Sequence, residues 1–231
     1  MTEYEQETAP RNVREYYDRF IEEWDSRTFD VRTIERMVLT LPMMLPSGSI
    51  LVIGVGGAVE PRWLRECGYD VTVIDVSSVG IQRARELGFR AFEVNVESDP
   101  IPGQYHQVVC MEVLEHLRDP LAALKKLQSA LKPGGQLFVG LPNEFHVVRR
   151  LHVLAGTMDF VRYDWPHLRF FTLKECRRLF CDAGLEIRQW AAASLVPPRI
   201  RFLRPLGKVL CRLRPSLFAL SFVFHLRPRP E

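Results

Sequence analysis

The sequence predicts an α/β protein: a Rossmann-like, doubly wound sheet of seven strands, mostly parallel with an antiparallel edge strand, and helices on both faces. Three observations predict it. From Ser49 to about Gly135, short apolar runs alternate with helix-like stretches, the spacing of a parallel sheet. A glycine-rich turn, Gly54, Gly56 and Gly57, closes the first run. An acid, Asp75, ends the second run, nineteen residues after Gly56, where a doubly wound fold sets a carboxylate toward a ribose.

Each element follows in order. Residues 1–10 are polar and read as unstructured. Arg11 to about Leu45 carries helical spacing, with Val13, Tyr16, Tyr17, Phe20 and Trp24, then Val31, Ile34, Met37, Val38 and Leu41, and reads as two helices. "SILVIGVGG" is a buried strand and a tight turn, "EPRWLREC" a short helix stopped by Gly68, and "DVTVID" the second strand. "SSVGIQRARELG" is a helix with a Ser start and a Gly stop. "FRAFEVNV" and "QVVCME" are strands three and four. Asp119 caps a helix with Pro120 at its first position, running to about Leu131. "KPGG" reads as a turn before strand five, "QLFVGLP". After a mixed segment to about Arg169, "TLKECRRLFCDAG" is an amphipathic helix, and "LEIRQWAAA" and "SLFALSFVFHL" are strands suited to an antiparallel hairpin at the sheet edge. The expected organisation is an N-terminal helical segment (1–45), an α/β core (46–193) with an insert at about 143–169, and a basic C-terminal segment (194–231) that completes the sheet.

Composition narrows the class. At 231 residues the chain fits one α/β domain with additions. The net charge of +3 is too small to imply nucleic acid. Its distribution is uneven: residues 1–30 are mainly acidic, and 199–230 hold seven arginines, one lysine and no acid. The five cysteines, without a CxxC pair, read as buried free thiols in a reducing compartment. The acidic, polar start is no signal peptide, and no apolar run reaches a membrane span, so a cytoplasmic protein is expected.

"CMEVLEHLRDP" carries the chemistry. Glu112, Glu115 and His116 are offset by three and four, so on a helical turn they share a face. Two carboxylates and an imidazole suit cation binding or proton transfer, or an exposed helix start with acids at its N-terminus.

The order "VTVID", "EVNVESDPIP", "YHQVVCMEVLEHL", "LKPGGQLFVGLPN" and "HLRFFT…CDAGL" resembles class I S-adenosylmethionine-dependent methyltransferases over about residues 45–190. The resemblance implies that Gly54 and Gly56 lie beside the methionine part of the cofactor, that Asp75 binds the ribose, and that Asn95 and Val96 lie beside the adenine. Cys110 and Met111 would line the cofactor's other side, and Tyr17 would belong to a helix closing over it. The chain departs from the family at Val52, where an acid is usual, at Ala58, the loop's last glycine, and at His106, where Asp is frequent; Glu60 stands near enough in sequence to offset the first. Glu112, Glu115 and His116, with His167 of "WPHLRFFT", resemble the two-Glu, two-His metal site of small-RNA 2′-O-methyltransferases, and ubiquinone-pathway O-methyltransferases are similar at the first three. These four could hold Mg²⁺ or Mn²⁺. Alternatively His116 or His167 serves as base, with Glu115 orienting it, or His167 only packs against Phe170.

The expected activity is O-methylation of a small molecule, a glycan or a lipid-linked hydroxyl. RNA 2′-O-methylation and a catalytically silent cofactor-binding protein are the alternatives, and the chain shows no RNA-binding module. In the insert, His146, Arg149, Arg150, His152, Tyr163 and Trp165 suit a polar ring or a phosphate, or a solvated basic face. "PPRIRFLRPLGKVLCRLRP" suits either peripheral contact with anionic membrane or, in the favoured reading, a helix packed on the sheet with its arginines in water.

Overall fold

The computed structural model describes Arg14, Asp18 and residues 31–158, 167–196 and 201–230. Helix α1 (Val31–Thr40) precedes the sheet. There follow β1 (Ser49–Ile53), α2 (Val59–Glu66), β2 (Asp70–Asp75), α3 (Ser78–Glu86), β3 (Arg90–Glu93), β4 (Tyr105–Met111), α4 (Pro120–Ser129) and β5 (Leu131–Pro142). Beyond them stand α5 (Val147–Leu154), α6 (Leu173–Asp182), β6 (Leu185–Ser194), α7 (Arg204–Leu213), the one-turn α8 (Pro215–Phe218) and β7 (Ala219–Pro228).

The strands form one seven-stranded sheet in the order β3-β2-β1-β4-β5-β7-β6. β1 to β5 pair in parallel. β7 runs antiparallel between β5 and β6. The strand order reverses between β1 and β4, which makes the carboxyl ends of these two strands the ligand-binding crevice of a doubly wound fold. On one face Leu51, Val108, Leu137 and Val139 pack against Leu124 and Leu127 of α4 and Phe180 of α6. On the other, Val52, Val73, Val109 and Phe138 pack against Met37 of α1, Leu64 of α2 and Ile81 of α3. Successive strand residues go to opposite faces, so the continuous apolar runs are those of strands buried on both sides.

Local chemistry sets the helix ends. The Ser77 side chain accepts from Gly80 N to start α3. Asp119 accepts from Ala122 N to start α4, with Pro120 at the first position. Thr172 and Glu175 form a reciprocal capping box on α6. Each cap supplies an acceptor for a helix-start N–H that has no partner within the helix.

Four expectations change. "KPGG" lies within β5: the pairing with β4 slips between Tyr105 and Gln107, and Gly134 turns the bulged chain at φ +75°. β6 and β7 pair antiparallel without a tight hairpin, because residues 195–218, with α7 and α8, intervene. Residues 215–218 are helical rather than strand. Cys67 and Cys181 are exposed, while Cys110, Cys176 and Cys211 are buried; all five are free thiols. His106, by contrast, has a local role, its Nδ1 lying 3.1 Å from Ser49 N and 3.0 Å from Ser49 Oγ.

His225 of β7 is buried and stacks on Phe138, ring centroids 5.0 Å apart. Neither ring nitrogen has a hydrogen-bond partner. Burial, aided by the charges of Arg227 and Arg188, pushes its pKa down to about 4. An unfolded histidine titrates near 6.5, so between those values the unfolded chain binds more protons than the folded one. The stabilisation is complete above about pH 6.5 and is lost as the pH falls toward 4. His225→Phe should therefore flatten the acid side of the melting-temperature profile between pH 7.5 and about 5. An unchanged profile would remove His225 from the acid sensitivity.

Candidate active site

The turn after β1 is built by backbone conformation. Gly54 (φ +88°) and Gly56 (φ +46°) are left-handed, and nothing lies within 4 Å of the position a Cβ on Gly56 would take. A ligand can therefore approach the main chain closely at Gly56, while the Gly54 N–H is donated to Ile74 O at 2.8 Å. Ala58 is also left-handed, at φ 58°, as the residue before α2. This is the position where glycine is usual, and the side chain there costs about 1–2 kcal/mol. Val52 is a core residue of β1, packed with Val73 and Val109. Glu60 stands in the first turn of α2.

Asp75 ends β2 beside this turn. Its Oδ2 accepts from Val55 N at 2.6 Å and its Oδ1 from Ser77 N at 2.8 Å, so one carboxylate ties the glycine turn to the start of α3. Burial raises its pKa against the lowering effect of these N–H donors. A carboxylate offers about four acceptor positions, so capacity remains for two ribose hydroxyls. Next to it, Asp18 Oδ1 accepts from Ser77 Oγ at 2.5 Å and Val79 N at 3.3 Å, and Arg14 pairs with Glu93. The N-terminal segment thus touches the ends of β2 and β3 at these two points. Tyr16 and Tyr17 lie outside the described residues, as do Tyr163 and Trp165.

β3 stops early because the Asn95 side chain accepts from Glu97 N at 2.9 Å, while Asn95 N donates to Asp99 at 2.8 Å. Val96 is buried beside this turn. Glu97 accepts from Arg118 N at 2.7 Å and Asp119 N at 3.1 Å, and Lys126 donates to the Glu97 and Asp99 carbonyls at 3.0 Å. The 95–99 loop is thereby fixed to the loop that carries Glu115 and His116.

At the end of β4, Cys110 and Met111 are buried. Burial, with the nearby charge of Glu115, pushes the Cys110 thiol far up, so it is no nucleophile. Glu112 then takes a left-handed conformation, φ 54°, with its N–H donating to Gly140 O at 3.0 Å. A one-turn 3₁₀ helix, Leu114–His116, follows. The triplet therefore does not ride one α-helical turn. The strand's last hydrogen bond holds Glu112 back, and the tighter turn presents the next two residues.

The structure brings together Glu115, His116 and His167. Each offers a metal-ligating atom, and these atoms lie within 4.8 Å of one another. The rings of His116 and His167 meet edge to face at 4.7 Å. Leu168 N and Arg169 N donate to Glu115 O at 2.8 and 3.0 Å, which pins the two segments together. Glu115 is fully buried, and neither carboxylate oxygen has a hydrogen-bond partner. Burial, reinforced by Glu112, pushes its pKa well up. Glu112 stands outside the group of three; its Oε2 is 3.7 Å from Arg36 Nη1, and burial outweighs that cation and raises its pKa.

Two residues were not singled out in the sequence. Glu144, buried just beyond β5, has Oε1 3.0 Å from His167 Nδ1 and Oε2 2.5 Å from Arg149 Nη1. Its signal was an acid directly after a parallel strand, where ligands bind. Arg36 is a buried arginine on the inward face of α1, a poor place for a charge without a task. Other insert residues hold the chain itself: His146 caps α5, Arg150 donates to Phe145 O at 2.6 Å, and His152 contacts Thr157 at 2.9 Å.

A doubly wound sheet with a glycine turn after β1, a ribose-competent carboxylate after β2 and a polar cluster after β4 defines an enzyme that binds an adenosine cofactor and reacts it at the carboxyl ends of the strands. Residues 15–189 match the methyltransferase-domain family. A ubiquinone biosynthesis O-methyltransferase of Pseudomonas paraeruginosa is 28% identical over 162 residues, 62% of this chain and 67% of that one. One from Xanthomonas campestris pv. campestris is 35% identical over 120 residues, 48% of this chain and 50% of that one. Among solved structures, a methyltransferase in complex with the Haloferax volcanii Trm112 methyltransferase activator superposes with a TM-score of 0.70 at 18% identity, covering 93% of this chain and 98% of that one. The N-methyltransferase NodS of Bradyrhizobium japonicum, in complex with S-adenosyl-l-homocysteine, gives 0.64 at 16% identity, covering 95% and 100%. The chain belongs to the methyltransferase-domain family and is an S-adenosylmethionine-dependent methyltransferase. The unobstructed Gly56 and the remaining acceptor capacity of Asp75 fit that cofactor.

Asp75→Ala should weaken S-adenosylhomocysteine binding by about 1–3 kcal/mol, roughly five- to 150-fold, read by calorimetry. Unchanged affinity in a folded variant would refute the ribose assignment. Ala58→Gly should raise stability by up to about 1 kcal/mol in urea titration, the left-handed penalty less one buried methyl. A loss of stability would contradict the strain.

Proposed function

We propose that the protein transfers the methyl group to a hydroxyl of a small molecule, with Glu115, His116 and His167 as the catalytic group. The observation that carries this is the buried, unpartnered Glu115 carboxylate facing two imidazoles at the carboxyl end of β4. An acceptor hydroxyl must lose its proton to become a nucleophile, and this group can receive the proton or a cation. The names of the ubiquinone-pathway relatives support oxygen as the methylated atom. A glycan or lipid-linked hydroxyl falls in the same class.

When bound, the cofactor's sulfonium supplies an electrophilic methyl group. Gly54 and Gly56 receive its methionine part, Asp75 the ribose, and Asn95 and Val96 the adenine edge, with Cys110 and Met111 along its other side. Arg14 and Asp18, the described residues of the N-terminal segment, make contacts at Glu93 and Ser77, beside Asp75, and Tyr17 lies outside the described residues. Of the four residues expected to hold a metal, Glu115, His116 and His167 suit Mg²⁺ or Mn²⁺, and Glu112 stands at the edge of the group beside Arg36. A divalent cation held there would lower the pKa of the acceptor hydroxyl. Glu144, itself fixed by Arg149, orients the His167 ring, as carboxylates behind metal-binding histidines do. The same Glu144–His167 pair favours a second reading without metal, in which His167 takes the proton directly.

Labelled cofactor with a panel of phenols, catechols and sugars tests the reaction class. Glu115→Gln and His116→Ala should each lower turnover by about 10²–10⁴ while S-adenosylhomocysteine affinity holds. In the metal reading a chelator abolishes turnover and Mg²⁺ or Mn²⁺ restores it; in the metal-free reading a chelator has no effect and His167→Ala is the most damaging change. Full activity in all three variants would refute both.

A further inference from the structure

We propose that the carboxyl end of the sheet is a docking face for an anionic membrane, formed by α7 and α5. It rests on the functional reading only in placing the acceptor entrance at this end of the sheet.

α7 has two apolar sides, and among the described residues only one is covered by the fold. Its inner side is fixed: a Cβ on Gly207 would come within 2.7 Å of Val196 Cγ2, and Cys211 Sγ donates to Phe218 O at 3.0 Å. The apolar residues that were expected to pack on the sheet instead point outward. Leu206, Val209 and Leu213 are 53%, 51% and 69% exposed, and Phe202, one turn before Leu206, is 81% exposed. The offsets of four, three and four make one stripe along the helix. Lys208, Arg212 and Arg214 are also exposed and flank it. α5 repeats the pattern, with Leu151 and Leu154 exposed by 59% and 84% and Arg150 in solvent.

The two helices stand at the same end of the sheet. Asn143, three residues before the cap of α5, donates from Nδ2 to Ser216 O at 3.2 Å and Ala219 O at 2.8 Å, where α8 enters β7. Eleven of the fourteen large apolar residues exposed among the described residues fall in 145–154, 168–170 and 202–213. An apolar surface of this kind marks an interaction site when it is clustered.

Charge decides the partner. Residues 145–158 and 201–230 contain no Asp or Glu. An apolar stripe flanked only by cations matches the interface of a bilayer with anionic headgroups, where the apolar face enters the acyl boundary and the cations meet phosphates. Among the described residues no helix is long and apolar enough to cross a membrane, so the contact is peripheral.

The full chain should be sedimented with vesicles of phosphatidylcholine alone and of phosphatidylcholine with about one-third phosphatidylglycerol. Binding to the second should exceed the first by at least about tenfold and weaken with salt. Leu206→Glu with Val209→Glu, and separately Lys208→Glu with Arg212→Glu, should each abolish it while S-adenosylhomocysteine binding stays intact, which shows that the variants fold. Equal binding to both vesicles, no binding, or unaffected variants would overturn the proposal. So would a dimer that both double variants dissociate, without vesicle binding, since the face would then belong to a second copy of the chain. Vesicle binding is read without acceptor or metal, so it stands or falls separately from the methyl-transfer reading.

Discussion

Three carboxylates at the carboxyl ends of β4 and β5, Glu115 and Glu144 buried and Glu112 half-buried, are the constraint around which this end of the molecule is built. An unpaired charge of this kind is costly to remove from water. Glu112 is faced by Arg36, and Glu144 by Arg149 and His167. Glu115 faces the imidazoles of His116, at 3.9 Å, and His167, and is pushed toward its neutral form. Each partner comes from a different part of the chain: α1, α5 and the segment before α6. Docking those parts is therefore tied to matching the charges, and both oxygens of Glu115 are left without a hydrogen bond.

The cofactor side follows a different principle. There the side chains are few and the backbone does the work. Asp75 links the glycine turn to α3, and Glu97 links the 95–99 loop to the loop after β4. A bound nucleoside would meet surfaces already fixed by these bonds, so little ordering remains to oppose binding. The left-handed Ala58 and Glu112 bracket the crevice, and strain of this kind is commonly held at functional sites.

The outer half of the sheet explains why the C-terminal segment matters beyond completing it. β7 gives β5 an antiparallel neighbour and buries Phe222 and Phe224 against the α6 face. Its entry through α7 and α8 places an amphipathic helix at the carboxyl end of the sheet, where Asn143 bonds Ser216 and Ala219. A core helix and a surface helix share the same apolar periodicity, and only the docking of Gly207 and Cys211 shows which side of α7 is turned inward.

The sequence by itself determined the alternation of strands and helices, the glycine turn, Asp75, the caps at Ser77, Asp119 and Thr172, and the placing of Glu115 and His116 just after β4. All of these are local: a period of two or of 3.6, a residue suited to a left-handed turn, a side-chain oxygen that replaces a missing partner. Tertiary structure decided the rest. It moved Glu112 toward Arg36, brought His167 to a triplet some fifty residues earlier, recruited Glu144 and Arg36, and put "KPGG" inside a strand. The physical reason is that the distance between side chains on different elements is set by how the sheet and its helices pack, and no spacing along the chain encodes it.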